Sequence, residues 1–542
     1  MTGQKTNDRS SRRRLAAVSS LVMVIALGLG GCRTDRDDVA RWSNTVQGPK
    51  KLVAVLTHDK YPIDLRVEAA LTLVRMKPRG GRRVGIQGTD EQPGLVTALS
   101  QLPPTRRAAI VTRLVPALEA EIARPAAPTK PGQPAPADTT IPYKDAAFAL
   151  LVHENGALIA EDKLKQRLRQ ALANWSSTNF AQRMDDSSQT FGLEQVLREL
   201  KADGVRKLPD LIQPNAAKID RMSDLIADLG DPSTRARASQ KLVAVAQNTA
   251  SEEWLQQKTP LLQRLNTESK LKPTPEKFRE QLKQYQEEEL IRIFSSMKRV
   301  GGPPAVDFLL RFAQDKGHSD KRRAAALAAL QGNLDRNAAS HADGVLTIAS
   351  AADTPDQVRD VALQRVGEFP RAMVVDRLYA LFKDPNWKVR WVAGELVLKM
   401  SDSGQLAEFF DRIGSSSDGM SMAEPLGYGL TIASMKGPQP AVEIVQSRLD
   451  SGPAGARLTA LGYYYHAGTP ADLTRLEAVK SDKTKVPECR EDAKDCEWKC
   501  DVTTNGARET KDIKTVGDFY EYCVKPALEK RQPQSPSKPA PN

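Results

Sequence analysis

Apolar residues recur at helical spacing over most of the chain. In one stripe, Leu164, Leu168, Ala171 and Leu172 lie three, four or one positions apart, as on one face of a helix. Similar stripes occur in 193–200, 225–229 and 278–294. Alternating Val, Ile and Thr bounded by turn residues, the pattern of strands, is scarce. The pattern therefore predicts an all-α protein.

A short motif repeats on these predicted helices. It consists of an arginine, an alanine three residues later and a leucine or valine four residues after that. An aspartate precedes each copy, and a proline precedes the arginine in most copies, as expected where a helix begins with an Asp cap and a Pro in its first turn. The motif arginines are Arg66, Arg235, Arg323, Arg359 and Arg390, and the preceding aspartates include Asp231 and Asp384. Successive copies in the second half of the chain are one helical hairpin apart.

The segment 383–396, KDPNWKVRWVAGEL, resembles the helix junction of a HEAT repeat, as do 354–366 and 230–242. The resemblance extends well over 305–400 and less well over 50–76 and 222–247. It implies an α-α superhelix, that is, a HEAT/armadillo-like solenoid, in which the motif arginine and aspartate form polar ladders between repeats. Arrays of this kind use extended surfaces for binding, so the resemblance also implies a protein-interaction scaffold.

The first 31 residues are typical of a secretory signal, with a basic start followed by the uncharged stretch 15–31. Residues 29–32, LGGC, resemble the bacterial lipobox, which implies lipid attachment to Cys32 and a membrane anchor. The next residue is Arg33, whereas some bacteria retain lipoproteins in the inner membrane through Asp at this position, so the outer membrane is favoured. The alternatives are a plain transmembrane anchor or an ordinary cleaved signal with a chance cysteine.

Four further cysteines lie near the end of the chain, in a segment predicted to be exported. An even set in such a segment favours two disulfides, and the spacing and the absence of histidine among them disfavour zinc. Sequence does not choose among the three possible pairings. The predicted disulfide cysteines are Cys489, Cys496, Cys500 and Cys523.

Composition and motifs narrow the possible functions. The net charge of +12 is a mild bias over 542 residues, and neither a nucleic-acid partner nor a small-molecule substrate is predicted. The sequence contains no nucleophile elbow, zinc-protease motif, P-loop or Rossmann glycine pattern, so no catalytic residue, cofactor or metal is predicted. Trp387 and Trp391, one turn apart, are either a hot spot for a partner or part of the inter-repeat core. His466, which follows three tyrosines, belongs either to a ligand-reading cluster or to a partly buried aromatic helix.

These observations predict a membrane-anchored envelope lipoprotein that acts as a non-catalytic protein-interaction scaffold, with an unknown protein partner. The alternatives are a structural spacer that binds cell-wall polymer and a HEAT-like enzyme of the lyase type. The predicted segments are a signal peptide (1–31), an N-terminal helical repeat segment (32–123), a Pro-rich linker (124–142), a HEAT-like array (143–475), a Cys-containing cap (476–530) and a disordered Pro-rich tail (531–542).

Overall fold

The structure is a computed structural model that describes residues 34–78, 83–125, 136–351, 353–384, 386–413, 420–436, 441–488, 497–504 and 507–531. The chain divides into two compact units, Met1–Ala238 and Ser239–Asn542. The predicted signal peptide, Cys32 and the predicted tail from residue 532 onward lie outside the described residues. Among the helices that are described, none combines the length and apolar character that a membrane crossing requires.

The first unit contains helices of very different lengths. They are α1 (Arg36–Trp42), α2 (Gly48–Thr57), α3 (Ile63–Arg75), α4 (Val84–Gln87), α5 (Leu95–Ser100), α6 (Pro104–Ile122), α7 (Ile141–Val152), α8 (Asp162–Ser177), α9 (Phe180–Asp185), α10 (Leu193–Leu200), α11 (Ala202–Val205), α12 (Ile219–Leu229) and α13 (Pro232–Thr249), which contains the division between the units. Short 3-10 turns occupy His153–Gly156 and Leu208–Leu211.

The second unit is more regular. Its helices are α14 (Glu252–Glu268), α15 (Pro275–Val300), α16 (Pro303–Gln314), α17 (Asp320–Ala329), α18 (Ala339–Ser350), α19 (Asp356–Val366), α20 (Arg371–Ala380), α21 (Trp387–Met400), α22 (Leu406–Ile413), α23 (Met420–Ser434), α24 (Ala441–Ser451), α25 (Ala454–Ala467), α26 (Leu473–Leu476), α27 (Val516–Phe519) and α28 (Lys525–Glu529). Four 3-10 turns (Leu381–Lys383, Ser403–Gln405, Pro470–Asp472, Glu477–Ser481), a π turn (Tyr520–Val524) and strands β1 (Lys499–Thr504) and β2 (Ala507–Asp512) complete its described part.

Helices α16 to α25 form successive hairpins. The two helices of each hairpin pack against each other, as in α16 with α17, α18 with α19 and α24 with α25. First helices also pack on first helices (α16 with α18, α18 with α20), and second helices on second helices (α17 with α19, α21 with α23, α23 with α25). The fold class is therefore confirmed as all-α and HEAT/armadillo-like, with a small disulfide-containing module at its C-terminal end.

The repeated motif explains why these helices stack. Every motif alanine is fully buried, and so is every motif leucine or valine. An alanine side chain lets the neighbouring helix come close, and the leucine or valine fills the seam between them. The residues concerned are Ala69, Ala238, Ala326, Ala362 and Ala393, with Leu73, Leu242, Leu330, Val366 and Val397.

Helices α23 and α25 approach so closely that only glycine fits at their crossing. A Cβ atom on Gly427 would lie 2.3 Å from the carbonyl carbon of Gly462 and 2.5 Å from its Cα. Both neighbours are backbone atoms, which cannot rotate away. The two glycines therefore set the distance between these helices.

Helices on either side of the Pro-rich linker predicted for 124–142 pack against one another. Helix α6, which precedes that segment, packs against α7 and α8, which follow it. Helix α7 itself begins at Ile141, inside the predicted linker, and ten of its residues are buried. Packing across the segment thus joins the predicted N-terminal segment to the start of the predicted array, while residues 126–135 lie outside the described chain.

The C-terminal module contains a small sheet that the hydrophobic pattern does not predict. Strands β1 and β2 pair antiparallel, with Lys499 opposite Asp512 and Thr504 opposite Ala507. In KCDVTT the charged residues Lys499 and Asp501 lie on one face, but ARETKD carries charged residues on both faces, so β2 lacks the alternation that indicates a half-buried strand. A disulfide between Cys500 and Cys523 ties β1 to the π turn before α28.

Candidate functional site

The second helices of the later hairpins carry an exposed apolar surface. On α23, Tyr428 is 55% exposed and Ile432 is 40% exposed, and Met435, just past the helix end, is 79% exposed. Their spacing places all three on one side of the helix. On the neighbouring second helix α21, Trp391 and Val392 are partly exposed. We call these five residues the second-helix face.

The surroundings of Tyr428 are aromatic. Its ring lies 5.4 Å from that of His466 on α25, centroid to centroid, at an angle of 64°. The ring of His466 in turn lies 5.1 Å from that of Tyr465. The structure therefore places His466 in a partly buried aromatic cluster, as the second interpretation of this residue expects, next to the exposed Tyr428.

The α21 part of this surface lines a groove between the second helices α19 and α21. Its volume is about 680 Å³, and Trp391, Val392 and Leu396 form its apolar part. Trp391 thus lines a concave surface, which is the position the hot-spot interpretation requires. The side chain of Trp387 lies outside the described side chains.

Charged side chains of both signs surround the apolar part of the groove. Its lining includes Asp360, Arg365, Glu368, Glu395 and Lys399. Arg365 is paired with Glu368 at 2.9 Å, and partial burial raises the pKa of Glu395 while Lys399 acts in the opposite direction. An apolar centre with a mixed polar rim is the usual anatomy of a protein-binding surface.

Three of the predicted repeat arginines hold the turn of their own hairpin. Arg66, Arg323 and Arg359 are each less than 10% exposed. The side chain of each donates to a backbone carbonyl ten residues earlier, at Leu56 (2.9 Å), Ala313 (2.9 Å) and Ala349 (3.2 Å) respectively. The last carbonyls of a helix have no partner within it, so each arginine caps the first helix of its hairpin from the second.

The remaining predicted repeat residues lie in more varied positions. Arg390 is buried and donates to the carbonyl of Asp384, and the Asp384 carboxylate lies 3.9 Å from Arg359 of the preceding hairpin. Arg235 is exposed and donates to the carbonyl of Gly230 at 3.0 Å. Asp231 accepts from the backbone N–H of Thr234 at 2.7 Å, and this bond, with one from Ser233, lowers its pKa to about 2. Asp231 therefore caps α13.

A further arginine of this kind was missed by the sequence pattern. Arg457 on α25 donates to the carbonyl of Gly452 at 2.6 Å and pairs with Asp482 at 2.6 Å. Ala460 follows it by three residues, but Tyr464 stands where the motif has leucine or valine. A motif that allowed an aromatic residue at this position would have found it.

Of the predicted cysteine sites, the structure describes one pair. Cys500 and Cys523 are joined by a disulfide. Cys32, Cys489 and Cys496 lie outside the described residues, so lipid attachment and the second disulfide stay predictions. The residues that are described contain no cluster of three or more His, Cys, Asp or Glu side chains placed to hold a metal ion.

Comparison with known proteins adds little to this geometry. No protein-family model and no curated protein sequence matches the chain. Among solved structures, the chain is similar to importin beta crystallised in an ammonium sulfate condition, at 13% identity and a TM-score of 0.24. The match covers 92% of this chain but only 64%, less than two thirds, of the importin chain. Because the two structures superpose this poorly, the fold assignment depends on the hairpin packing described above.

Proposed function

We propose that this chain is a membrane-anchored lipoprotein of the cell envelope that binds a protein partner, without catalysis, through its second-helix face. The observation that carries the proposal is the exposure of Tyr428 and Ile432 on α23, next to the aromatic cluster around His466. Water-exposed apolar side chains grouped on one surface mark interaction sites in soluble proteins. The HEAT/armadillo-like hairpins provide the scaffold that presents them.

Substitution on the face tests the binding proposal. We expect the double variant Tyr428→Asp, Ile432→Asp to reduce the amount of partner recovered after crosslinking and purification from intact cells by about tenfold or more, since two contact residues would become charged. A quantitative mass-spectrometric comparison with the wild type measures the loss. Both positions are exposed, so the change should leave the fold intact, which circular dichroism checks.

The chain offers a matched control for this variant. Leu265 and Leu271 are 45% and 56% exposed, far from the second-helix face in sequence. The double variant Leu265→Asp, Leu271→Asp makes the same chemical change and should recover as much partner as the wild type. Equal recovery by both double variants would contradict the proposed site, whether the common level is high or low.

Anchoring through Cys32 is a separate part of the proposal. It is supported by the lipobox-like LGGC at 29–32 and by the exported character that the Cys500–Cys523 disulfide favours. Two or more acyl chains hold a protein durably, at about 0.8 kcal/mol per buried methylene. The outer membrane is favoured because Arg33 follows the cysteine.

Replacement of this cysteine tests the anchor. The variant Cys32→Ser should lose incorporation of a labelled fatty acid and move from the membrane fraction to the soluble fraction of the envelope. As a control, Cys489→Ser should keep both the label and the membrane location. Membrane recovery of Cys32→Ser at the wild-type level would refute lipid anchoring while leaving the binding proposal intact.

A further inference from the structure

The first unit contains a second concave surface of opposite character. It lies between α8 and the short helix α11, with a volume of about 370 Å³. Polar and cationic side chains dominate its lining, which consists of Lys163, Gln166, Arg167, Arg169, Gln170, Ala173, Asn174, Asp203, Arg206 and Lys207. We call this surface the cationic groove.

Positive charge exceeds negative charge in the groove. Five of its lining residues are Lys or Arg, and one is an acid, Asp203, which pairs with Arg206 at 2.7 Å. Glu119, outside the lining, accepts a hydrogen bond from Arg167 at 2.9 Å. These two acids leave a surplus of cationic groups that an anionic ligand would neutralise.

Part of this charge is held in a fixed position. Arg169 donates to the carbonyl of Leu200 at 3.2 Å. Lys207 donates to the side-chain oxygen of Asn174 at 2.6 Å, which links α8 to the residues after α11. A positioned cation loses less side-chain entropy on binding than a freely moving one.

The groove is also linear. Lys163, Gln166, Gln170 and Asn174 are exposed and lie three or four residues apart, so they form one line along α8. At a rise of about 1.5 Å per residue this line is roughly 16 Å long. A surface of that length is much longer than a single phosphate or carboxylate group, and it matches a segment of a chain-like ligand.

We propose that the cationic groove binds a linear anionic polysaccharide. Cations would pair with its carboxylate or phosphate groups, and the amides of Gln166, Gln170 and Asn174 would exchange hydrogen bonds with its hydroxyls. Single-stranded nucleic acid is disfavoured because binding it relies on exposed aromatic side chains. None lines the described groove, and Trp175 on the same helix is 3% exposed. This proposal holds whether or not the second-helix face binds a protein.

Binding of defined polymers to the purified full-length chain tests it. The probes are fluorescently labelled polygalacturonate, which carries carboxylates, dextran phosphate, which carries phosphates, neutral dextran and single-stranded DNA. Fluorescence anisotropy measures the affinity for each. We expect binding of at least one anionic polymer, weakened by salt because screening acts on exposed charges, and much weaker binding of neutral dextran. The two anionic probes distinguish carboxylate from phosphate recognition.

A charge-reversing variant locates the site. Lys163→Glu with Gln170→Glu changes two exposed groove residues and should lower the affinity for the anionic polymer by about tenfold. The control variant, Lys50→Glu with Gln101→Glu, changes the net charge by the same amount at exposed positions elsewhere in the first unit. It should lower the affinity for the anionic polymer by less than about twofold.

Three outcomes would overturn the proposal. In the first, the two double variants bind the anionic polymer with equal affinity. In the second, the wild type binds neutral dextran as tightly as the anionic polymers. In the third, it binds single-stranded DNA more tightly than either anionic glycan. Lys163 lies in the first turn of α8, where a glutamate interacts favourably with the helix dipole, so the charge-reversing variant should keep the helix. Gln166→Glu alone serves as a milder second variant.

Discussion

Close packing is achieved in two different ways in this chain, at the α23–α25 crossing of the second unit and around helix α7 of the first unit. At the crossing of α23 and α25, Gly427 and Gly462 bring two backbones together without side chains. Helix α7 instead buries two charged residues completely, Lys144 and Asp145. The α23–α25 crossing therefore depends on the absence of side chains, whereas the packing of α7 includes a buried ion pair.

The local backbone explains why these charged side chains are buried. Asp145 accepts from the side chain of Arg83 at 2.9 Å and from the backbone N–H groups of Thr190 and Phe191 at 3.0 and 3.2 Å. Lys144 donates to Asp145 at 2.6 Å. The loop after α9 has no regular structure to satisfy its N–H groups, and buried N–H groups need partners. The aspartate supplies a partner for two of them.

The largest effect is expected from removing the charge of Asp145. The variant Asp145→Asn would leave Arg83 and Lys144 buried beside a neutral group, and burial already lowers the pKa of Lys144. Loss of one partner of a buried ion pair costs about 3–5 kcal/mol. We expect faster hydrogen exchange in peptides spanning 141–191, measured by mass spectrometry.

Asp162→Asn provides the control for that change. The Asp162 side chain is 96% exposed and pairs with Lys165 at the surface, so its replacement should cost less than about 0.5 kcal/mol. Similar exchange rates in the two variants would show that the buried ions do not hold the first unit together.

A smaller effect is expected at the glycine crossing. In Gly427→Ala the new methyl group would meet the backbone of Gly462 at 2.3 Å, so α23 and α25 must separate. Overpacking of this kind costs about 1–3 kcal/mol. Thermal unfolding followed by circular dichroism measures the loss.

Gly192→Ala tests whether the loss comes from crowding. Gly192 has φ −58°, and a Cβ atom there would have no neighbour within 4 Å. Gly192 precedes α10 as its N-cap, where alanine is less favourable than glycine, so its replacement should lower the melting temperature only slightly and by much less than Gly427→Ala. An equal fall in both variants would contradict the close approach of α23 and α25.

The smallest effect concerns the cap of α13. Its hydrogen bonds lower the pKa of Asp231 to about 2, below the usual aspartate value of 3.8. A carboxylate with a lowered folded-state pKa adds stability above the unfolded pKa and loses it as the pH falls through the folded pKa. A carboxylate at this position therefore makes the cap pH-dependent, whereas asparagine keeps the cap without titrating.

We expect the wild type to be more stable than Asp231→Asn at neutral pH, and the difference in stability should shrink between about pH 4 and pH 2. A difference independent of pH would show that the charge plays no part.

Sequence predicted the helical hairpins because their determinants are local. Arg359 and Ala362 lie on one short helix, and the carbonyl that Arg359 reaches is only ten residues away. The Arg83–Asp145 pair joins residues 62 positions apart. Arg83 lies within the glycine-rich basic stretch 77–94, which resembles a surface loop, so no local pattern marks it as buried.

The second-helix face was only partly predictable. Trp391 was a candidate because a tryptophan on a predicted repeat helix is conspicuous, but Tyr428 lies in α23, where the repeat motif is absent. Exposure of Tyr428 and Ile432 follows from which side of α23 packs on α21 and α25, and periodicity alone does not give that orientation.

Site-specific crosslinking in intact cells tests the central claim most directly. A photoreactive amino acid at position 432 should yield an adduct of one defined mass, and Tyr428→Asp in the same chain should abolish it. The same amino acid at position 265, an exposed leucine far from the second-helix face in sequence, should yield no such adduct. An adduct of the same mass and amount from both positions, or none from position 432, would contradict the claim that the second-helix face binds a protein.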